Sequence, residues 1–316
     1  MDVLVVLAGL IVGFVVGLTG MGGGALMTPV LVLLFGVTPL AAVSSDLVAA
    51  AVMKPVGSWV HMRHGTIQWS LVTWLMVGSV PSAFAGVLVL RALGNTGDVQ
   101  SVVKTSLGVA LLVAAAAMVY KAYTAMIARV NREAAARRGL EVVEPEDVPI
   151  VVRPVPTLVI GAAGGLIVGM TSVGSGSLII IALIALYPTL TANRLVGTDL
   201  VQAVPLVASA ALGHLLFGDF QFDLTASLLV GSIPGVYLGA QMSSRAPGWL
   251  IRRALAVVLL ASGLKLLELP TFHLGVVILS TLTLGPLIWA GVRRRQGELA
   301  DRAAGEAGPT VGEVPA

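Results

Sequence analysis

The chain contains no cysteine. Disulfides, thiolate metal sites and any relay of sulfur on a protein thiol are therefore excluded. Charged residues are also scarce: they make up 11% of the 316 residues, against about 25% in soluble domains. The four histidines are spread over segment ends and loops, at His61, His64, His214 and His273. We therefore expect no metal site and no other cofactor.

Motifs of the common enzyme classes are missing as well. The sequence has no Gly-x-Ser-x-Gly elbow, no His-Glu-x-x-His pair and no glycine-rich phosphate loop ending in lysine. We predict that the protein is not an enzyme. The net charge of +3 would suggest a nucleic-acid partner for a soluble protein. Here the basic residues stand at the ends of apolar segments, where they orient membrane helices, so no nucleic-acid partner is expected.

Long apolar runs dominate the sequence, since 57% of the residues are hydrophobic. A bilayer crossing needs about 20 apolar residues, and residues 25–36 and 177–188 are too short for one. Each short run follows a glycine cluster, which predicts two helical hairpins, 3–36 and 157–188, that dip into the membrane and return. Their glycine tips must be surrounded by protein or a water-filled cavity. The remaining runs cover 40–62, 68–91, 100–126, 192–217, 223–243, 250–267 and 272–292.

The chain is duplicated. The glycine-rich residues 17–24 return as 169–176, 152 positions later, and Asp46 returns as Asp199 at an offset of 153. At that second offset His61 corresponds to His214, and the Gly-Ser-Val-Pro at 78–81 to the Gly-Ser-Ile-Pro at 231–234. In a membrane chain, two halves of this kind are typical of a transporter built from repeats.

Two groups of arginines predict the orientation, because basic residues flank membrane helices on the cytoplasmic side. They are Arg129, Arg132, Arg137 and Arg138, and Arg293, Arg294 and Arg295. If both groups are cytoplasmic, each half crosses the membrane an odd number of times, so the halves are inverted and the N-terminus lies outside. The predicted fold class is an all-α polytopic membrane protein with two inverted-topology repeats. Each repeat is a broken or re-entrant hairpin followed by three transmembrane helices, and one extra helix follows at the C-terminus.

The same pattern divides the chain. We predict a first membrane repeat at 1–126, a cytoplasmic linker at 127–156, a second repeat at 157–268, an extra transmembrane helix at 269–292 and a disordered cytoplasmic tail at 293–316. The linker changes from basic to acidic to proline-rich, and its first part should extend the preceding helix. The tail is polar and rich in Ala, Gly, Glu and Pro, a composition typical of disorder.

These features resemble the TauE/SafE permeases, a family of sulfite and organosulfonate exporters. The resemblance covers about residues 3–268. It rests on the Gly-Met-Gly-Gly-Gly at 20–24, Ser-Ser-Asp-Leu at 44–47, residues 61–68, residues 171–176, Val-Gly-Thr-Asp-Leu at 196–200 and Gly-His at 213–214. Many members have serine or another small residue where this chain has Asp46 and Asp199, which places it in an acidic subgroup. The resemblance implies sulfite or an organosulfonate as substrate.

The glycine clusters are candidate anion sites. A short helix that starts in the membrane points its free N–H groups and positive dipole end into the protein core, which suits an anion without any charged side chain. The alternative is that glycine only allows close helix packing. The predicted substrate-binding residues of the clusters are Thr19, Gly20, Gly22, Gly23, Gly24, Thr171, Ser172, Gly174, Ser175 and Gly176.

Four titratable residues are candidates for proton coupling: Asp46, Asp199, His61 and His214. An ionised carboxylate in hydrocarbon costs at least about 2.5 kcal/mol, so each aspartate needs a partner or a function. Alternatively, the aspartates are N-terminal carboxylates favoured by the helix dipole, and the histidines are cations favoured at helix C-terminal ends. Lys54 lies about two turns after Asp46 and could attract the anion, or could only pack with its head reaching water.

The sequence therefore predicts a secondary transporter for a small anion, coupled to protons and working by alternating access. One alternative is a cation- or proton-linked carrier that uses Asp46 and Asp199 as ligands, and another is a non-transporting membrane assembly protein. The expected partners are the small anion and the lipid bilayer, with a homodimer left open. The expected location is the inner (plasma) membrane, with the linker and the C-terminus cytoplasmic.

Overall fold

The computed structural model describes residues 2–19, 23–63, 67–93, 96–137, 150–190, 192–242 and 248–306. Over these ranges the chain forms eleven α-helices, which confirms the all-α prediction. They are α1 (Val3–Thr19), α2 (Gly24–Leu34), α3 (Pro39–Arg63), α4 (Trp69–Ala92), α5 (Thr96–Arg137), α6 (Pro154–Thr171), α7 (Leu178–Leu186), α8 (Ala192–Phe217), α9 (Phe222–Met242), α10 (Gly248–Leu266) and α11 (Thr271–Glu306).

Six of these helices are long and apolar enough to cross a membrane: α4, α5, α6, α8, α9 and α11. The protein is therefore a multi-pass membrane protein. Helix α3 is long enough, with 25 residues, but it contains Asp46, Lys54 and Arg63, which lower its hydropathy. Its first part is protected from lipid because residues 41–47 are all buried.

Two separate helices lie on either side of each glycine cluster. Helices α1 and α2 flank the first cluster, and α6 and α7 flank the second. The second break contains three left-handed backbone conformations, at Ser172 (φ 60°), Gly174 (φ 139°) and Gly176 (φ 92°). Glycine adopts these conformations at little cost. We call residues 19–24 tip 1 and residues 171–177 tip 2.

Helices from different halves pack closely on each other, α1 on α9 and α4 on α6. A Cβ on Gly13 would lie 2.6 Å from the Ser232 carbonyl oxygen, and one on Gly165 would collide with the Ser79 carbonyl. Gly13 and Gly165 are equivalent in the duplicated sequence, as are Ser79 and Ser232, so the same contact is formed twice. Two further matched contacts are Gly78 with Leu158 and Gly231 with Val6.

The equivalent helices α3 and α8 pack against each other, and α5 packs against α10. The packing is not fully symmetric. Helix α8 also lies along α4, where Ser209 Oγ donates to the Val80 carbonyl at 2.7 Å, while the equivalent contact of α3 with α9 is less extensive.

The C-terminal region differs from its prediction. Helix α11 continues to Glu306, so residues 293–306 are helical rather than disordered. This stretch is rich in Arg, Glu, Leu, Ala and Gln, which are good helix formers, and the apolar span before it supplies the helix nucleus. Residues 307–316 lie outside the described ranges. The membrane part of α11 is not buried.

Candidate functional site

Tips 1 and 2 touch each other. A Cβ on Gly24 would collide with the Ser172 carbonyl and lie 2.5 Å from Ser172 Oγ. Gly23 precedes α2 and is buried, while Gly20 and Gly22 lie outside the described residues. The two glycine clusters, one from each half, therefore meet at one place in the protein.

Asp46 lies beside this contact and is fully buried. Its Oδ2 accepts hydrogen bonds from Ser172 Oγ at 2.6 Å and from Thr28 Oγ1 at 3.0 Å. Its Oδ1 is buried and has no hydrogen-bond partner among the described residues. One carboxylate oxygen thus joins α3 to α2 and to tip 2, and the other oxygen is left without a donor. Thr28 had no signal in the sequence, because it lies in an apolar run and has no counterpart in the second half.

Asp199 is also buried. Its Oδ1 accepts from Gln202 Nε2 at 3.1 Å. Gln202 Oε1 in turn accepts from Ser79 Oγ at 3.2 Å. Asp199 is therefore connected, through Gln202, to α4.

The helix-dipole interpretation of the two aspartates is wrong. Asp46 is the eighth residue of α3 and Asp199 the eighth residue of α8, and the first turn of each helix has no acidic residue. A rise of about 1.5 Å per residue puts each carboxylate about 10 Å from its helix start. The influence of the dipole on a side chain is confined to the first turn, so it does not account for either residue.

Lys54 is partly buried and points toward tip 2, where its Nζ donates to Ser175 Oγ. The ammonium interacts electrostatically with Asp199 and with Asp46. It forms no direct ion pair, since the pairs among the described residues are Lys104 with Glu268 and Arg129 with Glu133. Lys54 thus acts on both carboxylates, and Lys121 of α5 also acts on Asp199. Val207 occupies the position in α8 that is equivalent to Lys54.

The two threonines of the tips are hydrogen-bonded to their own helices. Thr19 Oγ1 donates to the Val15 carbonyl at 2.9 Å, and Thr171 Oγ1 donates to the Ile167 carbonyl at 2.6 Å. Thr171 Oγ1 also accepts from the Val173 backbone N–H at 3.1 Å. These hydrogen bonds therefore stabilise the C-terminal ends of α1 and α6.

His214 lies fully buried at the far end of α8. Its Nε2 donates to the Gly169 carbonyl at 2.7 Å, and its Nδ1 lies 2.8 Å from Ser44 Oγ. The imidazole therefore joins α8 to α6 and α3, and its hydrogen bonds run to these groups rather than to either aspartate. The side chain of His61 lies outside what the structure describes.

Two cavities lie away from the contact between the tips. One of about 490 Å³ lies between the ends of α5 and α11. The other, of about 560 Å³, is an apolar groove between α5 and helices α6 and α7, with Thr171 and Leu178 at its edge. No group of three metal-ligating side chains is present in the described ranges.

One charged group near the membrane surface has a shifted pKa. Glu268 follows α10 and accepts a hydrogen bond from Lys104 Nζ at 2.7 Å. That hydrogen bond and the charge of the ammonium lower the pKa of Glu268. Because the pair is exposed, it contributes little to stability.

Comparison with known proteins agrees with this architecture. Residues 5–266 match the family model described as sulfite exporter TauE/SafE. The probable membrane transporter protein YjnA of Bacillus subtilis (strain 168) is 38% identical over 268 residues, which cover 84% of this chain and 100% of that protein.

A second relative from the same organism, the probable membrane transporter protein YdhB, is 24% identical over 266 residues, covering 84% of this chain and 99% of that protein. No solved structure matches the chain. The family match spans both hairpins and all of the site described above. The chain belongs to the sulfite exporter TauE/SafE family of membrane transporters.

Proposed function

We propose that this transporter carries a small anion across the membrane together with a proton. The observation that carries the proposal is the meeting of both tips, Lys54 and two buried carboxylates at one place between the halves. Sulfite or an organosulfonate is the proposed substrate, supported by the name of the matching family.

The anion binds where the tips meet. The N-termini of α2 and α7 lie at this contact with their positive dipole ends, and the Lys54 ammonium supplies a full positive charge. In the described conformation the N–H groups of Leu178 and Ile179 donate to the Gly174 carbonyl, so tip 2 must rearrange before they can bind an anion. In the described conformation Gly24 is in contact with Ser172, so the tips must separate to admit an anion.

Charge balance requires proton uptake. Two ionised aspartates are balanced by the positive charges of Lys54 and Lys121, which both act on Asp199, so an entering anion leaves one uncompensated negative charge. Burying uncompensated charge is costly in a low-dielectric core. Protonation of one aspartate removes the excess as the anion enters.

Asp46 is the residue that takes up the proton. Its Oδ2 accepts from Ser172 and Thr28, whereas its Oδ1 has no donor among the described residues and is free to hold a hydrogen. Asp199 accepts from the Gln202 amide at 3.1 Å and interacts with the charges of Lys54 and Lys121, and these interactions favour its ionised form. A protonated Asp46 Oδ1 then donates to the bound anion, which links the two ligands directly.

Alternating access follows from the proposed inverted repeat. The matched contacts of α1 with α9 and of α4 with α6 support a two-fold relation between the halves, with an inverted orientation as predicted from the arginines. The contact of α8 with α4 is more extensive than that of α3 with α9. In the opposite arrangement, α3 would pack extensively on α9 and α8 would pack less on α4. Alternation between these two arrangements would open the site first to one side of the membrane and then to the other.

The proposed placement is the inner membrane, with the N-terminus outside and with residues 127–156 and the C-terminus in the cytoplasm. The proposed units are the repeats 1–126 and 157–268 and the extra helix 269–292. A homodimer is compatible with the lipid-facing side of α11.

The test is uptake of radiolabelled sulfite into liposomes that contain the purified protein, under an imposed pH gradient, with sulfate and an organosulfonate alongside. We expect gradient-driven sulfite flux in the wild type and in a matched control, Glu268→Gln, which removes an exposed carboxylate. Flux should be lost in Asp199→Asn, because Lys54 loses its stronger partner. If correctly folded protein carries no anion, the proposal is wrong. Cation flux that depends on Asp46 and Asp199 would then support the cation carrier, and no flux at all the assembly protein.

A further inference from the structure

A cavity of about 490 Å³ lies between α5 and α11, away from the tips. Its walls carry three arginines, Arg137, Arg293 and Arg294, and two glutamates, Glu133 and Glu298. Glu133 is already paired with Arg129, at 3.0 Å, on the outer side of α5. With these five side chains ionised, the cavity wall carries one net positive charge.

Arg293 and Arg294 are exposed and form no hydrogen bond or ion pair within the described part of the chain. They directly follow the apolar span of α11, so their guanidinium groups lie at the level of the membrane surface. Arginine side chains in this position bind phosphate oxygens with good geometry.

The rest of the cavity wall is apolar, formed by Val130, Ala134 and Ala290. It continues into the membrane part of α11, which is not buried by protein and so is covered by lipid chains. A lipid lying along α11 has its headgroup at the height of Arg293. A free phosphate ion would bind the arginines but would not contact the apolar surface that continues along α11.

The geometry points to a binding site for the headgroup of one anionic phospholipid, held by Arg293 and Arg294 between α5 and α11. The bound lipid joins the end of α11 to α5, a helix of the first repeat. The site is independent of the anion proposed at the tips, because none of its wall residues belongs to either tip.

The test is native mass spectrometry of the purified protein taken from bilayers of equal parts phosphatidylglycerol and phosphatidylcholine. We expect one retained phosphatidylglycerol per chain. In Arg293→Gln with Arg294→Gln we expect about 30-fold weaker retention, the factor that corresponds to about 1 kcal/mol per arginine. The matched control is Arg295→Gln with Arg132→Gln, which removes two arginines that do not line the cavity, and it should retain the lipid.

Four outcomes would overturn the inference. One is equal retention of the two lipids by the wild type, and another is equal loss in the control, which would reflect net charge alone. The third is a lipid-free dimer, which would assign this face to a second copy of the chain. Competition by soluble glycerol phosphate at the affinity of the lipid would likewise assign the site to a free anion. Thermal unfolding of each variant in detergent verifies that these exposed substitutions leave the fold intact.

Discussion

Substitution of one glycine between the halves tests the packing on which the account depends. In Gly13→Ala the new methyl group would lie 2.6 Å from the Ser232 carbonyl oxygen and 2.8 Å from Ser232 Cα. A carbon atom needs about 3 Å or more from an oxygen, so α1 and α9 must separate by several tenths of an ångström.

The expected cost follows from two opposing effects. Overpacking a close contact destabilises by about 1–3 kcal/mol, and replacing a helical glycine by alanine stabilises by up to about 1 kcal/mol. We therefore expect Gly13→Ala to lose about 1–2 kcal/mol of stability. Gly165→Ala should lose more, because its methyl group would collide with both the Ser79 carbonyl and Ser82 Oγ.

The matched control is Gly275→Ala in α11, where a Cβ has no atom within 4 Å. The assay is thermal unfolding of each purified variant in the same detergent, followed by loss of the monodisperse species. The control should be as stable as the wild type or slightly more stable. The reasoning is refuted if Gly13→Ala unfolds at the temperature of Gly275→Ala.

Three further substitutions address the site. Lys54→Met keeps the length of the side chain but removes the cation. We expect at least tenfold weaker sulfite binding, because an uncompensated buried charge costs about 3–5 kcal/mol. Unchanged affinity would contradict the placement of the anion beside Lys54. Ser172→Ala removes the hydroxyl that donates to Asp46 at 2.6 Å. A hydrogen bond to a charged group is worth about 1.5–3 kcal/mol, so sulfite flux should fall while the protein stays folded. Flux at the wild-type rate would exclude a role of this hydrogen bond in transport. His214→Gln keeps a donor for the Gly169 carbonyl, so retained pH-driven flux assigns His214 to packing, and lost flux in a stable protein assigns it to the proton path.

The helical segments could be predicted because they rest on the length and spacing of apolar runs. The breaks after Thr19 and Thr171 coincide with the glycine clusters, where helix formation is least favourable. The length of α11 could not be predicted from composition. Alanine and glycine suggested disorder, whereas the stretch after Arg295 continues a helix that the membrane already stabilises.

The residues of the site could be predicted in part. Asp46, Asp199 and Lys54 are noticeable as charges within apolar runs, and the duplication placed the two tips in matched positions. The sequence did not show that Asp46 has one oxygen without a donor, because that depends on which side chains of α2 and tip 2 reach α3. Thr28 is one such side chain, and it lies in a run that otherwise appears purely apolar.

The central claim is that Asp46 carries one proton with each anion, and the most direct measurement counts protons and anions together. Liposomes that contain the protein and a trapped pH-sensitive dye would be given sulfite, with exchange of labelled for unlabelled sulfite measured in parallel. The account predicts proton movement with sulfite in the wild type. In Asp46→Asn it predicts no proton movement with exchange retained, because the amide can still donate to the anion. Proton movement that persists in Asp46→Asn would contradict the account.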